Sequence, residues 1–509
     1  MAGVTAMTTP ISTRVGTFAQ RSSMIQQMMR LQSRLYDSQL QVATGQRSQT
    51  YTGISTDSFR LVSVETEKTK VEYYQKSNAI AQVRLDTMAT SVNSIQDVLH
   101  NVYNDLIDLG AGDQNQIIDE AEADTLSNIQ KFAFSAMKDL ASYLNAKADG
   151  RYVFSGGRTD QRAVDFPYTT LEEFQAAYDG SDITYPTSRE ANVPDAKIGQ
   201  DQHGGLTYGP GANTITPATA ASTEALVPGT VIELTDGDIT TQRFTVTARD
   251  TGTGALTVTP APSGLPGAAS DATISAVSYY GGDSLTFEHR VSDERTLDLG
   301  LNAKDGAFEK AFRALGMLAQ GGLNAAATTT PAASTGTLTF NNANGTVTAA
   351  TPGSFSGLPI GSSITFTGTA NNDGQRYTIV SNDGDTLTLD PPPVNEGAVA
   401  ADAVTDNLGR IEEAMALLSD ATNHTSAMPS EDPSDIEQVG SLIGFNQVTL
   451  DRAIDEAKTF ASYLSIRQTE IESVDKLEAA ANLNNDALAL ETAMASFARI
   501  SEVSLLSYI

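Results

Sequence analysis

Val71–Leu109 reads VEYYQKSNAIAQVRLDTMATSVNSIQDVLHNVYNDLIDL. Apolar residues return at Val71, Tyr74, Ala81, Leu85, Met88, Val92, Ile95, Leu99, Val102, Leu106 and Leu109, and Asn78 alone interrupts the series. Steps alternating between three and four residues bring each position back to one helix face, which is the pattern of a coiled-coil seam. The spacing predicts a long rod-like helix with Leu85 to Leu106 as its core seam. Turn chemistry in GAGDQNQ, Gly110 to Gln116, predicts its end. A second helix through Leu126, Ala133, Met137, Leu140 and Leu144 follows, and the short connection predicts an antiparallel hairpin.

Both ends of the chain repeat the theme. Met24, Met28, Leu31, Leu35, Ser38 and Val42 form one stripe near the start. Leu450, Ile454, Ala457, Ala461, Leu464, Gln468 and Ile471 form another, and Leu483, Ala487, Leu490, Met494 and Phe497 a third. Nothing adjacent in sequence covers the stripes of the terminal helices. Each needs a partner, either the other terminus or another chain. The N-terminal set (Met24, Met28, Leu31, Leu35, Val42) and the C-terminal set (Leu483, Leu490, Met494, Phe497) are the candidate assembly interface.

Between about residues 166 and 400 the pattern changes to Val, Ile, Thr and Phe alternating between DG, NG and TG turns, the signature of small antiparallel sheets. The unit is duplicated. Leu206 matches Leu338, Tyr208 matches Phe340, Ile215 matches Val347, Gly229 matches Gly361 and Ile232 matches Ile364, and QRFTV from Gln242 matches QRYTI from Gln375. A helix, AKDGAFEKAFRALGMLA at Ala303 to Ala319, separates the copies, with Phe308, Phe312 and Leu315 as its expected buried face.

The resulting expectation is a multidomain α+β fold: a long coiled-coil-like helical core formed by both termini, with two inserted antiparallel β modules. The division read from the pattern is residues 1–46 with 468–509 as a terminal helical domain, and 47–165 with 279–322 and 401–467 as a helical rod. Residues 166–278 form the first insertion, and 323–400 the second, a duplicate of 204–262.

Composition excludes several function classes. The chain has 509 residues with 62 acidic against 32 basic, a formal charge of −30. That balance opposes nucleic acid and anionic membrane surfaces, which are held by clustered Lys and Arg. There is no cysteine, so no disulfide, thiolate nucleophile or Cys-bound metal is expected. The four histidines lack metal spacing and read as surface or turn residues. The N-terminus has no signal-peptide or membrane-span core and is basic, with Arg14, Arg21, Arg30 and Arg34 ahead of the first acid, Asp37.

Candidates for chemistry are weak. FSGGRTD lacks the phosphate-loop spacing and its Lys. NDGDTLTLD, Asn382 to Asp390, reads as a solvated hairpin tip in preference to a calcium loop. The acid pairs Glu412/Glu413 and Glu431/Asp432 read as exposed. No enzyme, cofactor or metal site is expected. In GRYVFSGGRTD, Gly150 is expected to end the second helix, Tyr152 and Phe154 to pack on it as a short strand, and Gly156-Gly157 to turn the chain toward the first β module.

Four stretches carry a resemblance. ISTRVGTFAQRSSMIQQMMRLQSRLYDSQLQVATGQRSQTY near the start, GRYVFSGGRTD, SYYGGDSL with NAKDGAFEKAFRALGML, and the ending ALETAMASFARISEVSLLSYI together resemble the flagellin superfamily of bacterial axial proteins, and within it the hook-associated protein 3 family of hook–filament junction proteins. The likeness covers roughly the first 165 residues, 279–322 and the last 110, and leaves the β modules out. One departure is that the Asp-Asp-Pro many members carry after the TG turn is SQTYTGISTDSFR here.

The resemblance implies an extracellular structural protein of the flagellum, exported through the flagellar type III channel, with terminal helices that order on assembly. Its implied partners are copies of itself in a ring, a neighbouring hook-associated protein on the hook side, flagellin on the filament side, and an export chaperone at the C-terminal helix. Two alternatives stand beside it: a filament flagellin with the same core, and a secreted protein whose β modules bind glycan or calcium.

Overall fold

The computed structural model describes residues 11–110, 120–194, 197–198, 204–209, 213–236, 239–264, 268–269, 272–323, 328–356, 358, 361–406, 408–424 and 428–506. The expected turn after Gly110 lies outside them. The fold is α+β, with long helices toward both ends of the chain and small antiparallel sheets between. It divides into two compact units, Met1–Ala79 with Asp451–Ile509, and Ile80–Leu450. These boundaries differ from the four-part division read from sequence, because α2 (Ser58–Gly110) and α7 (Ile436–Glu472) run unbroken past them and no change of composition marks the spot.

In the first unit, α1 (Ile11–Thr44) packs along α8 (Lys476–Leu506). Helix α1 stops at Gly45, where φ is +74°, a value that favours glycine. The break between α7 and α8 lies beside this stop. Val474 N–H donates to Gly45 O at 3.0 Å and Arg47 N–H to Glu472 O at 2.6 Å, so the two chain breaks hold each other's open backbone groups.

The second unit is centred on α5 (Gly306–Ala319), capped by the Asp305 carboxylate on Ala307 N–H at 3.0 Å. The spacing Phe308, Phe312, Leu315 predicts one buried face, but every residue of this helix is buried. Helix α3 (Glu120–Leu144) covers one side and α6 (Leu408–Thr422) another. The ring of Tyr185 covers a third, so close to Gly316 that a Cβ there would meet it at 2.3 Å.

Three ionisable residues are enclosed with the helix. Lys310 Nζ donates to Asp420 Oδ2 at 2.6 Å and to Asp432 O at 2.8 Å. Arg313 bridges Glu309 at 3.0 Å and Glu431 at 3.0 Å, and Asn192 Nδ2 donates to Glu309 Oε1 at 2.9 Å. Burial works against the Arg313 charge, and the two carboxylates outweigh it, holding the guanidinium above its ordinary value. Glu431 and Asp432, read from sequence as exposed, are therefore structural; Asp432 also pairs with Arg189 at 3.1 Å.

The two β modules share one topology. Strands β3 (Lys197–Ile198), β4 (Leu206–Gly209), β5 (Thr214–Pro217), β6 (Val231–Asp236), β7 (Ile239–Arg249), β8 (Leu256–Thr259), β9 (Ala268–Ala269) and β10 (Thr273–Ala276) lie in the order β3-β10-β6-β7-β8-β5-β4-β9. The second module repeats that order with β13 (Thr328–Thr330), β14 (Leu338–Asn341), β15 (Thr346–Ala349), β16 (Ser363–Thr367), β17 (Arg376–Asn382), β18 (Thr386–Asp390), β19 (Glu396–Val399) and β20 (Asp402–Asp406).

Register repeats as well: Tyr208 faces Ile215 where Phe340 faces Val347, and Ile232 faces Phe244 where Ile364 faces Tyr377. Both copies carry a bulge at the same place, after Val246 and after Ile379. Alternating residues fill a separate apolar core in each copy. Strand β20 lies beyond residue 400, where the sequence division ends the second module. Conversely, residues 166–194 hold no strand of the first module and pack as an aromatic layer. There Phe166, Tyr168, Phe174 of α4 (Leu171–Ala177), Tyr178 and Tyr185 surround one another at centroid distances of 5.0–6.2 Å, with Phe134 of α3 beside them.

Removing the Arg313 charge tests the role of the enclosed ion pairs. Arg313→Met leaves Glu309 and Glu431 without their countercharge, and a denaturant titration is expected to show a loss of about 3–5 kcal/mol. Adding Glu309→Gln and Glu431→Gln to the same chain is expected to return most of it. Equal stability of Arg313→Met and the parent would mean that the cluster does not hold the helix in place.

Candidate assembly interface

The predicted seam is buried along its length. Leu85, Met88, Val92, Ile95, Leu99, Val102 and Leu106 are all nearly or wholly removed from solvent, and so is Asn78, the residue that interrupts the series. Leu85 to Leu106 lie in the second unit.

The glycine turn sits elsewhere than its sequence suggests. Helix α3 ends at Leu144, and Gly150 is the tip of a two-residue hairpin between β1 (Lys147–Ala148) and β2 (Arg151–Tyr152). Asp149 and Gly150 both take positive φ there, the backbone a tight hairpin turn requires. Tyr152 lies in β2. Phe154 lies past it and packs edge-on against Phe308 of α5 at 5.8 Å.

Gly156 and Gly157 turn the chain against the YYGGD stretch and not directly toward the first β module. Gly157 N–H donates to Asp283 Oδ1 at 2.7 Å, Asp283 N–H to Ser155 O at 3.2 Å, and Asp165 N–H to Tyr279 O at 2.8 Å. A Cβ at Gly156 would meet the Asp283 carbonyl at 2.4 Å. Tyr279 then stacks on Phe312 at 4.4 Å and donates its hydroxyl to Ala303 O at 2.9 Å. The turn is thus a clasp that ties the outgoing and returning strands of the first insertion onto α5.

Two side chains that the sequence places at the surface, His289 and Glu413, are less exposed than that. His289 is buried in the hairpin of β11 (Glu288–Arg290) and β12 (Thr296–Asp298), and burial lowers its pKa. His424 Nδ1 lies 2.9 Å from Asp420 Oδ1. Glu413 is half-buried. At the hairpin tip Asn382–Asp390 the polar side chains serve the backbone: Asn382 Nδ2 donates to Phe355 O, Asp383 Oδ1 accepts from Thr386 N–H, and Asp385 Oδ1 from Gly353 N–H. Among the described residues no group of three or more His, Asp or Glu could hold a metal ion, and no helix is long and apolar enough to cross a membrane.

The terminal helices carry part of the exposed apolar surface, alongside residues such as Phe59 of α2 and Phe445 of α7. Each is the other's first partner: Met24, Met28, Leu31, Leu35 and Val42 of α1 are half-buried, as are Leu483, Leu490 and Phe497 of α8. Ser38 Oγ donates to Asp486 Oδ2 at 3.1 Å across the pair. Met494 is on the outside, 43% exposed, because the covered face of α8 runs through Ala479, Leu483, Asp486, Leu490, Ala493 and Phe497 instead.

A second apolar seam, unnoticed in the sequence, runs beside the first on α1. Phe18, Ile25, Met29 and Tyr36 recur at seven- and four-residue steps, rotated by one residue from the covered stripe. All four are exposed, Phe18 to 77% and Tyr36 to 66%. On α8, Leu477 and Leu488 are exposed too, and between the helices lies a groove of about 460 Å³ lined by Met24, Gln27, Leu488, Ala489 and Ala493. A signal was present: α1 holds more apolar positions than one heptad seam uses.

No family model matches the chain, and no curated protein does. Among solved structures it is similar to a putative flagellar hook-associated protein from Vibrio parahaemolyticus, at 10% identity over 82% of this chain and 97% of that one, with a TM-score of 0.35. It is similar also to FlgL of Xanthomonas campestris, at 11% identity over 87% and 100%, TM-score 0.25. The flagellar junction protein FlgL of Legionella pneumophila matches at 10% identity over 89% and 99%, TM-score 0.24.

The two seams on α1 are separable by substitution. Met29→Asp with Tyr36→Asp alters only exposed positions, so far-UV circular dichroism of the full chain is expected to stay unchanged. Self-association in sedimentation velocity is expected to weaken on the order of 100-fold, since each buried side chain contributes about 1.5–3 kcal/mol. Leu35→Asp, on the covered stripe, is expected instead to lower helix content by separating α1 from α8. Unchanged self-association of the double variant would remove the outer seam from the interface.

Proposed function

We propose that this chain is a structural protein of the bacterial flagellum that joins hook to filament, its terminal helices packing between neighbouring copies. The observation that carries this reading is the outer seam Phe18, Ile25, Met29 and Tyr36, which stays exposed after α1 and α8 have paired. A contact between that seam and a different surface on the next copy is heterologous, and such contacts repeat into rings or helical tubes.

The resemblance of both termini and of the FSGG and YYGGD stretches to hook-associated protein 3 supports the junction over the filament, as do the paired β modules. By the same reading the chain lies outside the cell, between a hook-associated neighbour and flagellin, and meets an export chaperone at its C-terminal helix. The absence of cysteine suits passage through an export channel. The β modules, with outward threonines and a chain charge of −30, coat the assembly and keep copies soluble before they join. No catalytic step is assigned to any of them.

Placing an epitope tag at Gly374, an exposed turn with open space around it, allows immunogold electron microscopy on intact flagella. The expected result is a narrow band between hook and filament. Label along the whole filament would make the protein a flagellin, and no flagellar label would overturn the flagellar reading.

A further inference from the structure

The two β modules touch where β7 passes β17, and a cleft of about 140 Å³ opens between them. One wall belongs to the first module and the segment that leads into it: Thr184, Asn213, Thr245 of β7 and Thr257 of β8. Thr184 is tied to that module by its N–H, which donates to Thr245 Oγ1 at 3.2 Å. The other wall belongs to the second module, with Ser356 ahead of β16 and Asp383 in the turn between β17 and β18. Either module alone supplies half of the cleft.

Most polar side chains at the turns of these modules are used by the backbone, but in the cleft many are not. Among the described residues the side chains of Ser181, Thr184, Asn213, Thr257 and Ser356 make no hydrogen bond. Asp383 Oδ1 accepts from the N–H groups of Asp385 at 2.9 Å and Thr386 at 2.6 Å, which leaves Oδ2 without a donor. Thr245 Oγ1 accepts a hydrogen bond and has its own proton still to give. Thr184 is 4% exposed and Thr245 1%, so this unmet capacity lies on side chains already withdrawn from bulk water. A buried hydroxyl without a partner is costly, and groups of this kind are met by ordered water or by a ligand of the same chemistry.

The lining narrows that chemistry. No Lys, Arg or His stands in it, so an anion finds no countercharge, and the chain's charge of −30 repels one. Asp383 is its single carboxylate, too few for a divalent cation. Val258 and Leu358 add apolar contacts between the hydroxyls. The volume is the share of about five waters at ~30 Å³ each and falls short of the ~300 Å³ of an ordinary ligand pocket, which limits the occupant to one small ring.

We propose that the cleft between the two β modules binds a neutral sugar ring, whose hydroxyls bridge Thr184, Thr245 and Thr257 on one wall to Ser356 and Asp383 on the other. The apolar side chains take the C–H groups of the ring. No residue of α1 or α8 lines the cleft, so the site is separate from the assembly interface.

Saturation-transfer difference NMR on the full chain tests this with D-glucose, D-galactose, D-mannose and maltotriose as probes. Ring protons of at least one probe are expected to receive saturation. Thr257→Val keeps the shape of a strand residue, and Ser356→Ala alters an exposed one, so thermal unfolding of both is expected to match the parent. Each is expected to raise Kd about fivefold, and the pair about 25-fold, since each removes one neutral hydrogen bond. Transfer to the free sugars would identify a monosaccharide as the ligand, and transfer to a terminal ring of maltotriose alone would identify the end of a glycan. Absence of transfer to every probe would overturn the proposal, and so would an equal Kd in the parent and the folded double variant.

Discussion

Helix α5 has no side toward water, and the arrangement of its compact unit follows from that constraint. A helix enclosed on all sides must hide its charged residues as well as its apolar ones. Here Glu309, Lys310 and Arg313 share one helix with Phe308, Phe312 and Leu315. Each buried charge needs a countercharge and further hydrogen bonds, or its desolvation outweighs what its attraction returns. The partners come from Asn192, Asp420, Glu431 and Asp432, which lie on either side of the inserted modules in sequence. Closing these contacts therefore fixes the path of the chain before and after each insertion. The clasp of Gly156-Gly157 on Asp283 does the same for the first insertion through backbone N–H groups donating to a carbonyl and to the Asp283 carboxylate.

The β modules show the opposite economy of means. Each has its own apolar core and its own repeated register, down to the bulge and to Gly229 and Gly361 at positive φ. Their attachment is where they differ. The first is held by Arg243, which binds Glu233 at 2.6 Å and the Tyr168 hydroxyl at 2.8 Å beside the aromatic layer. On the second, Arg376 pairs with Glu412 of α6 at 2.8 Å, and the buried Arg410 of α6 lies against Gly361. The interior register is the same in both modules, and a one-residue slip would ruin it. The contact surface was free to diverge, since any arrangement that satisfies its charges serves.

What the sequence made legible follows the range of the interactions involved. The seam from Leu85 to Leu106 is local and periodic, so spacing alone reveals it. The duplication is legible because patterned positions and turns recur together. The buried ion pairs were not, because Arg313 and Glu431 are brought together only by the fold, and an acid pair such as Glu431/Asp432 looks the same in a sequence whether solvated or enclosed. Strand β20 is hidden in the sequence for a related reason: DAVTD gains its strand character by pairing with β16 and β13, not from its own alternation. Gly150 was assigned to a helix end because a glycine there and a glycine in a hairpin tip satisfy the same backbone demand.

Met494 shows why the terminal helices resist a one-face reading. A sequence stripe identifies a seam by assuming that the remaining faces are polar, and α8 has alanine, leucine or methionine on nearly every side. Helix α1 likewise has two adjacent seams, and pairing with α8 leaves its covered stripe only half-buried. Long helices held by so narrow a contact draw little stability from one another, since packing of an apolar face, more than propensity, keeps a helix folded. A neighbouring copy that covers Phe18, Ile25, Met29 and Tyr36 would remove that deficit for both helices at once. The outer seam Phe18, Ile25, Met29 and Tyr36 is thus apolar surface that the pairing of α1 with α8 leaves unused.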